Sequence, residues 1–331
     1  MRGGALLLGC LLAGTFAQPV RAQPAVPGQQ DALQLLQRVA QAAKKLDYSG
    51  TFVYRNGSQS ETSRIVHVAG NGNPAGKLEV LDGTPREVIR RNDEVTCYLP
   101  ESRLVIVEQR GARRTFPALL PASLAGLTEH YQIRKLGTAR IAGFDSQIVR
   151  LDPRDPWRYG HQFWVDRQTG LMLKAEVFDA RGEALESMLF TELRIGEPAP
   201  ADALRPTVVS REGWQVRQAR LRDMRDDGRW VFANDLPGFR RQAAMIRAYP
   251  ASNPGGEREV LHWVFSDGLA ALSVFVSPLR EPLSADDTEV KTIGVTSVVK
   301  RAIDEYLVVV MGDVPAETVK RFAAGVGVRV K

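Results

Sequence analysis

Hydrophobic and polar positions along the chain change rhythm three times. From Asp31 to Leu46 the apolar residues Leu35, Leu36, Val39, Ala40, Ala43 and Leu46 recur at helical spacing, with Gln34, Arg38, Gln41 and Lys45 between them. This spacing predicts an amphipathic helix with one core face. Lys44 and Lys45 at its end suit the helix dipole. From Tyr48 to Ile195 the period becomes two. Strands are predicted at Tyr48–Arg55, Ser63–Ala69, Lys77–Leu81, Glu87–Arg91, Glu94–Leu99 and Leu104–Glu108, and again at Gln132–Leu136, Gln147–Leu151, Gly160–Val165, Leu171–Phe178 and Leu185–Ile195. Asn56-Gly57, Asp82-Gly83 and Thr169-Gly170 mark turns between them. Short strands joined by tight turns predict an antiparallel meander.

One stretch breaks the alternation. Residues Phe116 to Leu127 are apolar and interrupted by Pro117 and Pro121. They predict a loop plus a short helix. Loops usually run over the surface, so an apolar one needs a cover. Either it plugs the open side of a curved sheet, or it lines a cavity for a greasy guest.

Pro198, Pro200 and Pro206 then mark a linker. Beyond it, strands are predicted at Trp214–Leu221, Phe239–Tyr249, Glu259–Phe265, Ala270–Val276, Val295–Val299 and Tyr306–Met311, with a hairpin turn at Ser266-Asp267-Gly268. Pro315 begins a terminal helix with Val319 and Phe322 on one face. This second module reads as a small antiparallel sheet covered by a helix, an α+β domain.

Composition agrees with two folded units. The chain has 331 residues, 44% of them hydrophobic and 25% charged. That suffices for two cores and argues against wholesale disorder. The formal charge of +6 is well mixed along the sequence, so nucleic acid is not expected as a partner. Met1-Arg2, the apolar run from Ala5 to Ala17 and Val20-Arg21-Ala22 fit a secretory signal peptide over 1–22. Leu7-Leu8-Gly9-Cys10 also has the look of a lipoprotein acylation site. Cleavage at residue 22 leaves Cys97 alone, in a strand and without a basic neighbour in sequence, which reads as a small buried hydrophobe.

The search for catalytic chemistry is empty. No Gly-rich phosphate loop, nucleophile elbow or paired-cysteine metal motif occurs. His67, His130, His161 and His262 never pair at ligand spacing and read as strand or surface residues. Asp152-Pro153-Arg154-Asp155-Pro156 reads as a solvated loop. The second module opens with Arg211, Arg217, Arg220, Arg222, Arg225 and Arg229, interleaved with Asp223, Asp226 and Asp227. This is either a salt-bridged solvated face or a docking surface for an acidic partner or anionic headgroup. No metal or cofactor is expected.

Several segments resemble a known family. Leu81-Asp82-Gly83-Thr84-Pro85-Arg86-Glu87-Val88-Ile89-Arg90-Arg91 is similar to a segment of the RseB/MucB periplasmic stress regulators. So are Trp164 to Leu173, the next turn Asp179 to Glu183, Leu236-Pro237-Gly238-Phe239, and Phe265-Ser266-Asp267-Gly268-Leu269 with Ser273-Val274. The resemblance implies a mainly β fold. Its first domain (29–197) is an unclosed antiparallel β-barrel with helices in its concavity, similar to the carriers LolA and LolB. A linker (198–210) leads to a smaller α+β domain (211–331). It also implies a periplasmic protein without enzymatic activity. Such a protein binds the periplasmic domain of a membrane-spanning anti-sigma factor, shields it from regulated proteolysis, and is released by lipid, lipopolysaccharide or mislocalised lipoproteins. Homo-oligomers are compatible with it. A lipid or lipoprotein carrier without a regulatory partner is the rival reading, and an envelope hydrolase with a dispersed site a third.

Within that frame, a half-barrel presents inward positions at period two. Phe52, Tyr54, Val66, Val80, Phe163, Val165 and Phe178 are the expected acyl-chain contacts, with Phe116, Leu119, Leu120 and Leu124 from the broken apolar segment. Plain core packing is the alternative for each. Arg220, Trp263, Ser266 and Asp267 are the expected partner contacts.

Overall fold

The computed structural model describes residues 28–329, apart from 93, 110–115, 122, 201, 209, 226–227, 234 and 251–256. The leader expected at 1–22, with Cys10, lies outside the described residues, as do Asp226 and Asp227 of the arginine-rich run.

Helix α1 (Gln29–Lys45) comes first. It is followed by β1 (Tyr48–Asn56), β2 (Gln59–Val68), β3 (Ala75–Val80), β4 (Glu87–Arg91), β5 (Glu94–Leu99) and β6 (Leu104–Gln109). Then come the short helix α2 (Leu127–His130), β7 (Tyr131–Ile141), β8 (Phe144–Pro153), β9 (Gly160–Asp166), β10 (Met172–Phe178) and β11 (Ala184–Ile195). The strands form one antiparallel sheet in the order β7-β8-β9-β10-β11-β1-β2-β3-β4-β5-β6. Among the described residues β7 pairs only with β8, so the sheet curls without closing.

The hollow of this open barrel is filled by the chain itself. The apolar stripe of α1 (Leu36, Val39, Ala43) and the proline-broken segment (Phe116, Leu120, Leu124, Leu127) join Phe52, Tyr131, Phe163 and Phe190 in one buried cluster. The Phe116 ring lies 5.3 Å from Phe52 and 4.9 Å from Phe190. Burial of each such side chain contributes roughly 1.5–3 kcal/mol. Of the two readings left open for residues 116–127, the plug is the one found.

The segments that carried the resemblance are largely turns, and their polar residues have turn-forming work. Asp166 accepts hydrogen bonds from Thr169 N (2.8 Å) and Thr169 Oγ1 (2.6 Å). Arg38 of α1 donates to the carbonyl of Gln168 on the same turn, 3.1 Å away. Asp179 accepts from the backbone of Arg181 and Glu183, and Asp82 from Thr62 N. A bulge between Met172 and Lys174 breaks the simple alternation of β10 and sends both Met172 and Leu173 inward.

The second module comprises β12 (Gln215–Asp223), β13 (Trp230–Phe232), β14 (Arg240–Pro250), β15 (Glu257–Ser266), β16 (Ala271–Pro278), α3 (Ala285–Thr288), β17 (Lys291–Ile293), β18 (Thr296–Ile303), β19 (Tyr306–Gly312), α4 (Ala316–Ala324) and β20 (Val326–Val328). Its sheet runs β12-β14-β15-β16-β19-β18-β17, all antiparallel, and β13 pairs with β20 separately. A second core, separate from the first, packs Trp230, Trp263, Phe265, Val274, Val310, Val319 and Phe322. The three-residue strands β13, β17 and β20 and the four-residue α3 escape sequence prediction because none of them completes two periods of its own pattern, so nothing repeats. A capping box between Ser284 and Asp287 nonetheless starts α3.

Candidate functional site

The two modules meet over an extensive junction. Strand β12 belongs to both sheets: Gln215–Ala219 pairs parallel with β6, and Arg220–Asp223 antiparallel with β14. The expected linker lies against the first module. Lys77 donates to the carbonyl of Arg205 (3.0 Å), and Glu87 accepts from Thr207 N (3.0 Å). Lys77 and Glu87 are themselves a buried pair at 3.5 Å.

The centre of the junction is Arg158. It is buried and follows the segment expected to be a solvated loop. Asp155 in that segment accepts from Trp157 N and from Arg158 Nε, both at 3.0 Å. Arg158 also donates to Asp267 of the second module and, at 2.6 Å, to the carbonyl of Pro237. Tyr131 Oη donates to the same Asp267 carboxylate at 3.3 Å. Burial, reinforced by the Asp267 charge, drives the Tyr131 hydroxyl well above the ordinary phenol range. The Arg158 guanidinium lies 5.1 Å from the Phe239 ring centre. Within the run, Arg154 and Pro156 are exposed, as expected of a solvated loop, whereas Asp152 and Pro153 end β8 and Asp155 turns inward to hold Arg158 at the junction.

Two further contacts flank the hub. Thr318 Oγ1 on α4 donates to the carbonyl of Trp157 (3.0 Å), and the Arg321 guanidinium sits 4.7 Å from the Trp157 ring centre. On the other flank, Asn56 at the end of β1 touches Gly294 in the β17–β18 turn, where any side chain would collide with it. Asn56 Nδ2 donates to Tyr54 Oη, which in turn donates to Glu186 at 2.9 Å.

The expected acyl-chain contacts separate into three groups. Phe52, Phe116, Leu120, Leu124, Phe163 and Val165 all lie in the core of the half-barrel. Tyr54 and Leu119 pack partly against it, and Val80 is buried on the same sheet face, opposite Ser63. Val66 and Phe178 depart from the expectation of an inward position. Phe52 pairs with Ser63, which puts Ser63, Ile65 and His67 inward and Val66 outward. Phe178 pairs with Gly160 on the outer face, where the Arg150 guanidinium covers its ring at 3.7 Å. A one-residue slip in assigning faces produces both differences.

The expected partner contacts also differ from a surface patch. Trp263 is 1% exposed in the second core, between Trp230 and Phe232, with its Nε1 buried and unpaired. Ser266 and Asp267 are buried and shape the hairpin turn. Ser266 Oγ donates to the Ala270 carbonyl, and Asp267 Oδ1 accepts from Leu269 N and Ala270 N. Arg220 alone of the four is exposed, on β12. The role of Arg158 was missed because nothing in sequence links it to a residue 109 positions away.

The histidines are structural. Burial lowers His161 to about 4 as its ring packs beside Phe163. Burial and then the Arg247 charge lower His262 to about 4. The Cys97 thiol, half-buried in β5, is raised, chiefly by burial, away from reactivity. No group of three or more potential metal ligands occurs among the described residues.

These features define a two-module protein: an unclosed, self-filled β half-barrel joined by a buried ionic hub to a small α+β sheet domain. Residues 31–208 match the model of the MucB/RseB N-terminal domain, and residues 224–327 that of the MucB/RseB C-terminal domain. The chain belongs to the MucB/RseB family. It is 30% identical over 329 residues to the sigma factor AlgU regulatory protein MucB of Pseudomonas aeruginosa, covering 97% of this chain and 95% of that one. The sigma-E factor regulatory protein RseB of Escherichia coli K12 is 25% identical over 299 residues, 88% of this chain and 89% of its own. A crystal structure of MucB in complex with MucA(peri) superposes with a TM-score of 0.69 at 27% identity, over 91% of this chain and all of that one. MucB alone gives 0.65 at 26% identity, over 91% and 99%.

Proposed function

We propose that the protein is a periplasmic, non-enzymatic regulator of an envelope-stress sigma factor. It binds the periplasmic domain of a membrane-spanning anti-sigma factor and shields it from regulated proteolysis. The observation that carries this reading is the co-linear match of both modules to MucB bound to MucA(peri). A carrier without a partner needs only the half-barrel, so the attached module, locked on by a buried hub, argues for the regulator.

The partner segment docks on the second module, with Arg220 among its direct contacts. Trp263, Ser266 and Asp267 act from beneath, by fixing the β15–β16 hairpin. Titrating the periplasmic domain of the cognate anti-sigma factor into the protein, with an Arg220→Glu variant alongside, tests this. Saturable binding weakened by the variant supports it. Binding absent from the unsubstituted protein refutes the reading.

Lipid or lipopolysaccharide acyl chains are the releasing signal in this account. A chain entering the half-barrel must displace Phe116, Leu120 and Leu124, at about 1.5–3 kcal/mol each. A chain of about ten methylenes, at about 0.8 kcal/mol each, offsets that loss, whereas one of four does not. Only a ligand with different affinity for the two states can release the partner.

A further inference from the structure

A cavity of about 820 Å³ opens on the second module between α4, β18 and the segment 279–288 that ends in α3, within the size range of small-molecule sites, about 300–1,000 Å³. Leu279, Leu283, Val299 and Ala323 give it an apolar lining, and Arg301 and Lys320 are its charged lining residues. Arg301 donates to the carbonyl of Ala323 near the end of α4, which fixes the guanidinium in place. Nearby acids are engaged elsewhere: Asp286 with Lys291 (2.7 Å) and Asp287 with Lys300 (2.9 Å). Glu317 approaches Lys320 at 3.8 Å, but both side chains are about two-thirds exposed, so the pairing is weak.

We propose that this groove binds a long-chain fatty acid. Its apolar chain lies along the wall of α4 and β18, and its carboxylate sits between Arg301 and Lys320. An apolar trough with two cations suits an anionic amphiphile, because a carboxylate pairs its charge with the cations, which a neutral head cannot do. The hollow of the half-barrel is packed with side chains, whereas this groove is open. Helix α4 also connects the site to the junction: Lys320 and Ala323 face the groove, and Thr318 and Arg321 hold Trp157 of the first module. The proposal is independent of the anti-sigma reading, and its test contains no partner.

The test is calorimetric titration of the protein with dodecanoate below its critical micelle concentration. Octanoate, decanoate and dodecyltrimethylammonium serve as controls. Saturable binding of dodecanoate is expected, with affinity rising by up to about fourfold per added methylene. The cationic amphiphile should bind at least tenfold more weakly. Ala302→Trp and Ala324→Trp, at exposed positions of the lining, should each reduce dodecanoate affinity at least tenfold. Lys320→Gln should erase most of the preference for the anion and, being at an exposed site, carries the test if both tryptophan variants misfold. Unchanged dodecanoate affinity in the folded tryptophan variants would place the ligand elsewhere and overturn the proposal. So would uptake only as micelles, equal binding of the cation, or no binding at all. Self-association lost in Ala324→Trp but indifferent to dodecanoate would assign the groove to a second copy and equally overturn it.

Discussion

Arg158 of the half-barrel and Asp267 of the α+β module form an ion pair whose two side chains are wholly excluded from solvent. A pair of this kind is costly to break from one side, because the survivor remains buried and uncompensated, at about 3–5 kcal/mol. Arg158→Met is expected to lower the unfolding free energy by that amount. Asp267→Asn tests the charge separately, since an amide oxygen can still accept from Leu269 N and Ala270 N in the turn. The double variant should lose clearly less than the sum of the singles in urea denaturation. A loss below about 1 kcal/mol for Arg158→Met would mark the pair as energetically surface-like.

Gly238 stands one residue beyond Pro237, whose carbonyl accepts from Arg158. Its φ is +80°, and an added Cβ would lie 2.1 Å from His130 Nε2 at the end of α2. Gly238→Ala therefore meets both backbone strain, about 1 kcal/mol or more, and a collision across the junction. Destabilisation is expected in thermal melts, and His130→Gly in the same chain should restore only the part due to the collision. Full restoration would mean that the backbone is unstrained.

The plug makes a stability prediction with an internal control. Leu120 is 3% exposed in the half-barrel core, and Leu119 beside it is only partly buried. Leu120→Ala should cost about 2–5 kcal/mol and Leu119→Ala clearly less. Equal, small effects in chemical denaturation would show that the segment rests on the sheet without filling it.

Two imidazoles held below their ordinary range, the half-buried His161 and the buried His262, set a pH dependence. His161 and His262 titrate at about 4 in the folded protein, against an ordinary value of about 6.5 in the unfolded chain. Above pH ~6.5 neither state binds the proton, and stability is full. As pH falls from about 6.5 towards 4, the unfolded chain takes up protons that the folded protein refuses. Stability is then lost by at most about 1.4 kcal/mol per pH unit for each ring. Below that window the loss from these groups levels off. Melting at stepped pH, with His161→Phe as the comparison, should show the drop reduced in the variant. A stability curve flat from pH 7 to 4.5 would contradict the lowered titration of both rings.

Much of the fold was legible where pattern outlasts one period. The helix predicted from Asp31 appears at Gln29–Lys45, and the strand runs from Tyr48 to Ile195 each became strands, with ends shifted by a few residues. Leu35 to Ala43 announce α1 because every third or fourth residue is apolar. The facing of side chains was less legible. Val66 and Val80 look alike in sequence, but pairing register sends one outward and keeps the other inward. The site was least legible. Asp267 reads as a turn residue and is one. Its second oxygen, however, belongs to Arg158 and Tyr131, more than a hundred residues away, a relation that depends on how two finished modules meet.

The most direct measurement is protease protection of the periplasmic domain of the cognate anti-sigma factor, with the protein added in increasing amounts. The account predicts a cleavage rate that falls saturably with the protein and recovers when a long-chain lipid, but not a four-carbon one, is supplied. Cleavage at an unchanged rate in the presence of excess folded protein would contradict it.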